Sequence, residues 1–141
     1  MRSQSLMILG LTLLLGLRAA GVTAQGLSAP QAQTYQGIPY LSGGIGEEER
    51  EMLRRLAHNY NVQLIFAAKE GHYLSEVHVI IMDARGRTVL DTVSEGPWLY
   101  TQLPAGTYTI LVQVNGQTQR RVVQVGQQKQ IQLAFYWEMT P

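Results

Sequence analysis

The feature that most constrains this chain is a long run of alternating apolar and polar residues between Val62 and Trp137. Such alternation places apolar side chains on one face of a β-strand, whereas a helix needs them three or four residues apart. Turn signals divide the run into seven segments of strand length. The strongest signal is Asn115-Gly116, which favours the two positive φ angles of a type I′ turn. The sequence therefore predicts a mainly β domain of about seven short strands.

The Asn115-Gly116 turn also predicts the pairing of the two strands beside it. A two-residue loop pairs the flanking residues in order, from Val114 with Gln117 to Tyr108 with Val123. Near the turn, the apolar face of the first strand then meets polar partners. This mismatch indicates either a hairpin tip that projects beyond the core or a β-bulge that shifts the register. We expect the far half of the hairpin, around Tyr108 and Val123, to be buried.

One segment before the strands, about Glu47 to Tyr60, has helical spacing. Its apolar residues form a single stripe: Met52, Leu53, Leu56, Ala57 and Tyr60. The glycine-rich stretch SGGIGEEER leads into it, so a phosphate-binding loop is the alternative to a plain helix start. The stretch lacks the third glycine of the dinucleotide motif and any Gly-Lys-Ser/Thr. Three glutamates in the first turn stabilise the positive end of the helix dipole and would repel a phosphate. We predict a helix start, with Gly46 as the N-cap.

The N-terminus has the pattern of a secretory signal at residues 1–24. Arg2 precedes an apolar run from Leu6 to Leu17, and small residues follow before Gln25. The run is shorter than the ~20 residues that span a bilayer, so we expect no stable membrane anchor after cleavage. The pattern predicts a periplasmic or secreted protein. Residues 25–41, rich in Gly, Pro, Gln and Ser without a period, are predicted to be a linker.

Charge and cysteine usage exclude several classes of function. Without Arg2 and Arg18, the 11 basic residues fall to 9 against 10 acidic ones, a net charge of −1. No basic stripe exists for nucleic acid, whose binding depends on neutralised phosphates. The chain has no cysteine, so it has neither disulfides nor thiolate chemistry. The 141 residues suffice for one domain.

Residues 77–133 contain the motif Leu103-Pro104-Ala105-Gly106-Thr107-Tyr108. Leu103 would end a strand in the core, Pro104 and Gly106 would turn the chain, and the Tyr108 hydroxyl could reach a backbone group. The motif resembles the signature of carboxypeptidase regulatory-like domains, which are transthyretin-like (prealbumin-like) sandwiches. The mature chain is also similar to small secreted proteins of Gram-negative bacteria that carry this domain.

The spacing of the turns and this resemblance together predict a seven-stranded antiparallel β-sandwich at residues 62–137, and helical periodicity predicts one N-terminal amphipathic α-helix, at residues 42–61, packed against it. The resemblance also implies a periplasmic location. It implies no particular activity, because this type of fold serves many functions.

The residues that could carry chemistry are scattered. His58, His72 and His78 share no ligand spacing, and the four residues from His78 to Met82 span about 13 Å along a strand. Asp83-Ala84-Arg85-Gly86 suits a β-turn better than a calcium loop, which needs several oxygen ligands. No Gly-x-Ser-x-Gly or cysteine nucleophile is present. We therefore predict no catalytic residue, no cofactor and no metal.

Aromatic residues are the remaining candidates for a binding surface. Trp98 and Tyr100 share one face of a strand, and Tyr136 lies opposite the Phe135 and Trp137 phase. An exposed platform of this kind could bind a glycan or a protein, whereas buried rings would belong to the core or cover the helix. We expect a non-catalytic module for protein interaction or envelope structure. A carbohydrate-binding module of the envelope and a periplasmic metal-handling protein are the alternatives.

Overall fold

The computed structural model describes residues 29–127 and 129–139. This part of the chain is mainly β, with two sheets and a single short α-helix, as the alternation predicts. The predicted signal at residues 1–24 lies outside the described residues. Within the described ranges, no helix is long and apolar enough to cross a membrane.

The described residues form nine strands rather than the seven predicted. They are β1 (Gln33–Tyr35), β2 (Ile38–Gly43), β3 (Val62–Ala68), β4 (His78–Met82), β5 (Thr88–Val93), β6 (Trp98–Thr101), β7 (Gly106–Val114), β8 (Gln117–Val125) and β9 (Ile131–Trp137). One sheet has the order β1-β2-β6-β3-β9, and the other has the order β5-β4-β7-β8. All seven predicted strands exist, so the two additional ones come from the segment before the helix.

The prediction of a linker at residues 25–41 is wrong for its second half. β1 and β2 form a hairpin in which Tyr35 pairs with Ile38, and β2 then pairs with β6. Both residues of the connecting turn, Gln36 and Gly37, have positive φ angles, of 46° and 83°. These are the signs of a type I′ turn, which matches the twist of the flanking strands. This segment therefore adds two strands to the five-stranded sheet.

The prediction that all strands run antiparallel is also wrong. β3 pairs in parallel with β9 along its whole length, from Val62 with Ile131 to Ala68 with Trp137. A parallel pair needs a long crossover connection, and here the four-stranded sheet lies between β3 and β9 in the sequence. The parallel pair places β9 at the end of the five-stranded sheet.

One cluster of buried side chains contains residues from both sheets. The five-stranded sheet contributes Leu64, Phe66 and Phe135, and the four-stranded sheet contributes Ile81 and Ile110, all fully buried. Three aromatic rings, those of Phe66, Phe135 and Trp137, meet with centroids 6.1 to 6.3 Å apart. Burial of these side chains supplies the main stabilisation of the domain.

Helix α1 (Glu47–Leu56) covers the opposite face of the five-stranded sheet. Its Leu53 is fully buried in a second cluster with Leu41, Tyr60, Trp98 and Tyr100. The predicted helix ended at Tyr60, but the α-helix ends at Leu56 and a 3₁₀ helix continues to Asn59. The sheet thus contributes one face to the main core and the other to the helix.

The β7–β8 hairpin has the predicted register at every pair. Asn115 and Gly116 have φ angles of 47° and 75°, as a type I′ turn requires. The expected projecting tip or bulge is wrong, because Val112 and Val114 remain buried up to the turn and the register is continuous. The polar residues of β8 that face them have another function, described below.

Candidate functional site

The SGGIGEEER stretch is a helix start, as predicted, and side chains of the helix hydrogen-bond to the backbone of the glycine loop before it. Gly46 is the N-cap with a φ angle of 83°, and three glutamates occupy the first turn. Glu49 Oε1 accepts the Gly44 N–H at 2.7 Å, and Arg50 Nη1 donates to the Gly44 carbonyl at 2.9 Å. Arg54 and Arg50 hydrogen-bond to Glu47, which lowers the pKa of that carboxyl. The N–H and carbonyl groups of Gly44 therefore already bind side chains of the helix that follows.

Two of the three aromatic candidates for an exposed platform are buried. Trp98 and Tyr100 are 7% and 4% exposed, because helix α1 covers this face of β6. The guanidinium of Arg54 lies 5.3 Å from the Trp98 ring centroid, and burial raises the pKa of Tyr100. Of the three aromatic candidates, Tyr136 alone is exposed, at 53%. Trp98 and Tyr100 of β6 thus pack against the helix, which is the alternative to an exposed platform.

The motif around Leu103 forms the corner that the sequence predicts. Leu103 is buried, and the Tyr108 hydroxyl donates to the Pro104 carbonyl at 2.7 Å. Asn61 holds the same corner from the other side, since its amide nitrogen donates to the Leu103 carbonyl and its amide oxygen accepts the Leu103 N–H. This bidentate contact was not predicted from the sequence, because it joins residues 42 positions apart. The four signature residues Leu103, Pro104, Gly106 and Tyr108 therefore have a structural role.

Replacing Tyr108 by Phe removes the corner hydrogen bond and keeps the ring. Tyr108 is 5% exposed, but Pro104 is exposed, so water can replace the hydroxyl as the partner of the Pro104 carbonyl. We expect Tyr108→Phe to lower the free energy of unfolding by about 0.5–1.5 kcal/mol, the net contribution of one hydrogen bond. Urea denaturation measures this loss, with Tyr136→Phe as the matched control on an exposed ring. Equal stability of the two variants would contradict the role of the hydroxyl.

Each of the three histidines lies in a different environment. His58 and His72 are exposed in the 3₁₀ helix and in the loop after β3. His78 Nε2 lies 2.7 Å from Asp91 Oδ1 on the outer face of the four-stranded sheet. Among residues 29–127 and 129–139, no group of three or more His, Cys, Asp or Glu side chains could share a metal ion. The contact between His78 and Asp91 therefore joins β4 to β5.

Asp83 closes a β-turn, as predicted for the segment that could pass for a calcium loop. Its Oδ1 accepts the N–H groups of Arg85 and Arg87 at 2.9 and 3.0 Å, and its Oδ2 accepts Arg87 Nε. The backbone hydrogen bond from Arg87 is the main cause that lowers the pKa of this carboxyl. Both carboxylate oxygens are thus used within the turn.

Two buried serines also serve the backbone. Ser42 Oγ accepts the Glu95 N–H, and Ser94 Oγ accepts the Val77 N–H, each at 3.0 Å. These bonds tie the loops beside β6 to β2 and to the start of β4. Neither hydroxyl is hydrogen-bonded to a histidine, which is the contact that activates a serine nucleophile.

A shallow cavity of about 210 Å³ lies where the 3₁₀ helix meets the five-stranded sheet. Tyr60, Tyr100 and Gln130 are among its lining residues. The Gln130 amide donates to the carbonyls of Ala57 and Tyr60, both at 3.0 Å. The N–H groups of this amide are therefore already used between the 3₁₀ helix and the start of β9.

Polar side chains of β8 cover the free edge of β9. Gln119 Nε2 donates to the Tyr136 carbonyl at 2.7 Å, and Arg121 Nη2 donates to the Ala134 carbonyl at 3.3 Å. The Arg121 guanidinium also lies 4.9 Å from the Phe135 ring centroid. Sequence reasoning missed this contact, although polar residues at alternate positions opposite buried valines were its signal. These side chains join the ends of the two sheets.

The outer face of the four-stranded sheet is uncovered by any described helix. Its central rows carry half-buried apolar side chains, among them Ile80 and Leu111, which lie directly opposite each other. Val93 on β5 and Val122 on β8 are 53% and 54% exposed. Among the described elements the two sheets therefore differ, since α1 covers one of them and no helix covers the outer face of the other.

Comparison of the sequence with protein-family models and with curated proteins finds no match.

Proposed function

We propose that this protein is a non-catalytic, transthyretin-like β-sandwich module of the bacterial envelope that binds another protein. The shared core of the two sheets and the Tyr108 corner support a sandwich of this type. The N-terminal signal pattern supports a periplasmic or secreted location. The polar candidates support a non-catalytic role, since Ser42, Ser94 and Asp83 each bind backbone groups.

The observation that carries this proposal is the difference between the two sheets. The five-stranded sheet is covered on both faces, by the core and by α1, whereas the four-stranded sheet has a free outer face. Exposed apolar side chains such as Val93 and Val122 on that face suit contact with a protein. The burial of Trp98 and Tyr100 removes the platform on which the carbohydrate alternative depends.

The test compares one exposed apolar residue on each sheet. The protein, expressed from its full-length coding sequence, is immobilised and exposed to an envelope extract. We expect wild-type protein and Tyr136→Glu to retain the same partner, and Val122→Glu to lose at least about nine-tenths of it, because a buried glutamate would remain unpaired. Loss with Tyr136→Glu alone would place the partner on β9 instead. Absence of any partner that is retained above background would end the proposal.

A further inference from the structure

Strand β8 has one paired edge and one free edge. It lies at the end of the four-stranded sheet and pairs with β7 alone. Val114 and Gln117 flank the two-residue turn, so they form a hydrogen-bonded pair, and such pairs alternate along the ladder. The backbone groups of the alternate residues therefore face away from β7: Thr118, Arg120, Val122 and Gln124. All four residues are exposed, and within the described ranges their outward groups have no backbone partner.

The other three sheet edges offer less for pairing. β1 has three residues, and two outer carbonyls of β9, those of Ala134 and Tyr136, already accept hydrogen bonds from β8. The pairing of β5 with β4 is irregular between Ile81 and Met82, and such an irregularity bends a strand. β8 is regular over nine residues. A long, regular edge with unpaired backbone groups is a template for an added strand.

The side chains on this edge favour an acidic partner. Arg120 lies on the outer face opposite Leu111 of β7, and it forms no ion pair with any residue in the described part of the chain. Val122, two residues further, lies on the same face and is 54% exposed. An added strand would place one residue opposite Arg120 and another opposite Val122. A carboxylate and an apolar side chain are the complements of these two positions.

A second copy of this chain fits the edge poorly. Antiparallel pairing of two β8 strands would bring two copies of Arg120 and two of Arg121 into one short ribbon. Like charges that face each other across a pair of strands are destabilising. The carboxylates of a foreign strand would instead be attracted, and their attraction would also speed association. The charge on β8 thus selects against self-pairing.

We propose that the free edge of β8 binds an extended, acidic segment of a partner protein as an added antiparallel strand. The segment carries an apolar residue opposite Val122 and, two residues later, an aspartate or glutamate opposite Arg120. Backbone hydrogen bonds from Thr118 to Gln124 hold the strand, and these two side-chain positions select it. This inference rests on the proposed protein-binding function and names its surface and the chemistry of its partner.

Two blocked heptapeptides test the proposal: Thr-Thr-Val-Thr-Glu-Thr-Thr and the same peptide with Lys in place of Glu. Each is titrated into isotope-labelled protein, expressed from its full-length coding sequence, and followed by amide chemical shifts. We expect shifts that centre on residues 118–124 and binding of the Glu peptide about tenfold tighter than the Lys peptide. We also expect this preference to fall as salt rises, because the charges are exposed.

A charge reversal sharpens the test. Arg120→Glu should reverse the preference, so that the Lys peptide binds better, whereas Arg55→Glu on the exposed side of α1 should leave it unchanged. The dispersion of the amide spectrum shows whether each variant folds. Equal binding of the two peptides, or shifts confined to other strands, would overturn the proposal. A concentration-dependent dimer that perturbs the same amides would overturn it too, because a second copy would then occupy the edge.

The same variant separates this inference from the proposed function. If wild-type protein and Arg120→Glu retain one envelope protein equally, the protein-binding function stands and the β8 edge is overturned as its site. If the peptides bind with the expected preference but no envelope protein is retained, the edge proposal is supported and the proposed function fails.

Discussion

Replacing Phe135 by Ala is expected to lower the free energy of unfolding by about 3–5 kcal/mol. The Phe135 side chain is fully buried in β9, and its ring meets Phe66 and Trp137 at centroid distances of 6.1 and 6.3 Å. Its removal leaves a cavity between the two sheets and takes away the ring beneath Arg121. The loss would be a large part of the 5–15 kcal/mol that stabilises a typical domain.

The neighbouring residue supplies a matched control. Tyr136 follows Phe135 directly, but its side chain points to the other face of the sheet and is 53% exposed. Tyr136→Ala should therefore change the free energy of unfolding by about 0.5 kcal/mol or less. Urea denaturation of both variants, followed by circular dichroism, gives the comparison. Losses of similar size would contradict the alternation of β9 and the placement of Phe135 in the shared core.

The sequence predicts the strands and the hairpin because both depend on neighbours in the chain. Alternation gives the seven strands from β3 to β9, and Asn115-Gly116 gives the register of β7 and β8. The corner at Tyr108 is equally local, since its hydroxyl reaches a residue four positions away. Both of these local features contain residue types with strong conformational or hydrogen-bonding preferences, and these preferences make them predictable.

Two strands, β1 and β2, were not predicted because local sequence patterns do not mark them. β1 has three residues, and its turn to β2 uses Gln36 at a positive φ angle, which a residue with a β-carbon seldom adopts. Neither residue type nor alternation marks such a hairpin. β2 is stabilised instead by pairing with β6, more than fifty residues later in the chain. Tertiary contact therefore decides a segment that its composition describes as a linker.

The parallel pair of β3 and β9 was missed for a related reason. Its residues lie 69 positions apart, as in the pair of Val62 with Ile131, and no turn fixes their direction. The contacts of β8 were missed as well, although Gln119 and Arg121 donate to carbonyls of β9 only 17 and 13 positions later, because β9 belongs to the other sheet. The sequence analysis explained these polar residues by a projecting tip or a β-bulge, because it considered the hairpin by itself.

The candidate site was the least predictable part of the molecule. Trp98 and Tyr100 share a face, as alternation predicts, but the position of α1 decides whether that face is exposed. The free edge of β8 likewise depends on which strand ends the sheet, and that order comes from pairings across the whole chain. Whether a side chain is exposed therefore depends on how the sheets and the helix assemble. The face of the sheet on which it lies depends only on the alternation within its own strand.

Leu53 tests whether α1 determines that exposure. The residue is fully buried against Leu41 and the β6 aromatics, so Leu53→Ala should lower the free energy of unfolding by about 2–5 kcal/mol. Leu56, one turn later, is 37% exposed, and Leu56→Ala should cost about 1 kcal/mol or less. Urea denaturation measures both losses.

A tryptophan signal shows where the Leu53 variant is loosened. In a Trp137→Phe background, Trp98 is the chain's one remaining tryptophan. Because α1 covers Trp98, its emission should shift to the red in Leu53→Ala under native conditions and stay unchanged in Leu56→Ala. A stable Leu53→Ala variant with unshifted emission would mean that the sheet buries Trp98 without the helix, and the covered face would then need another explanation.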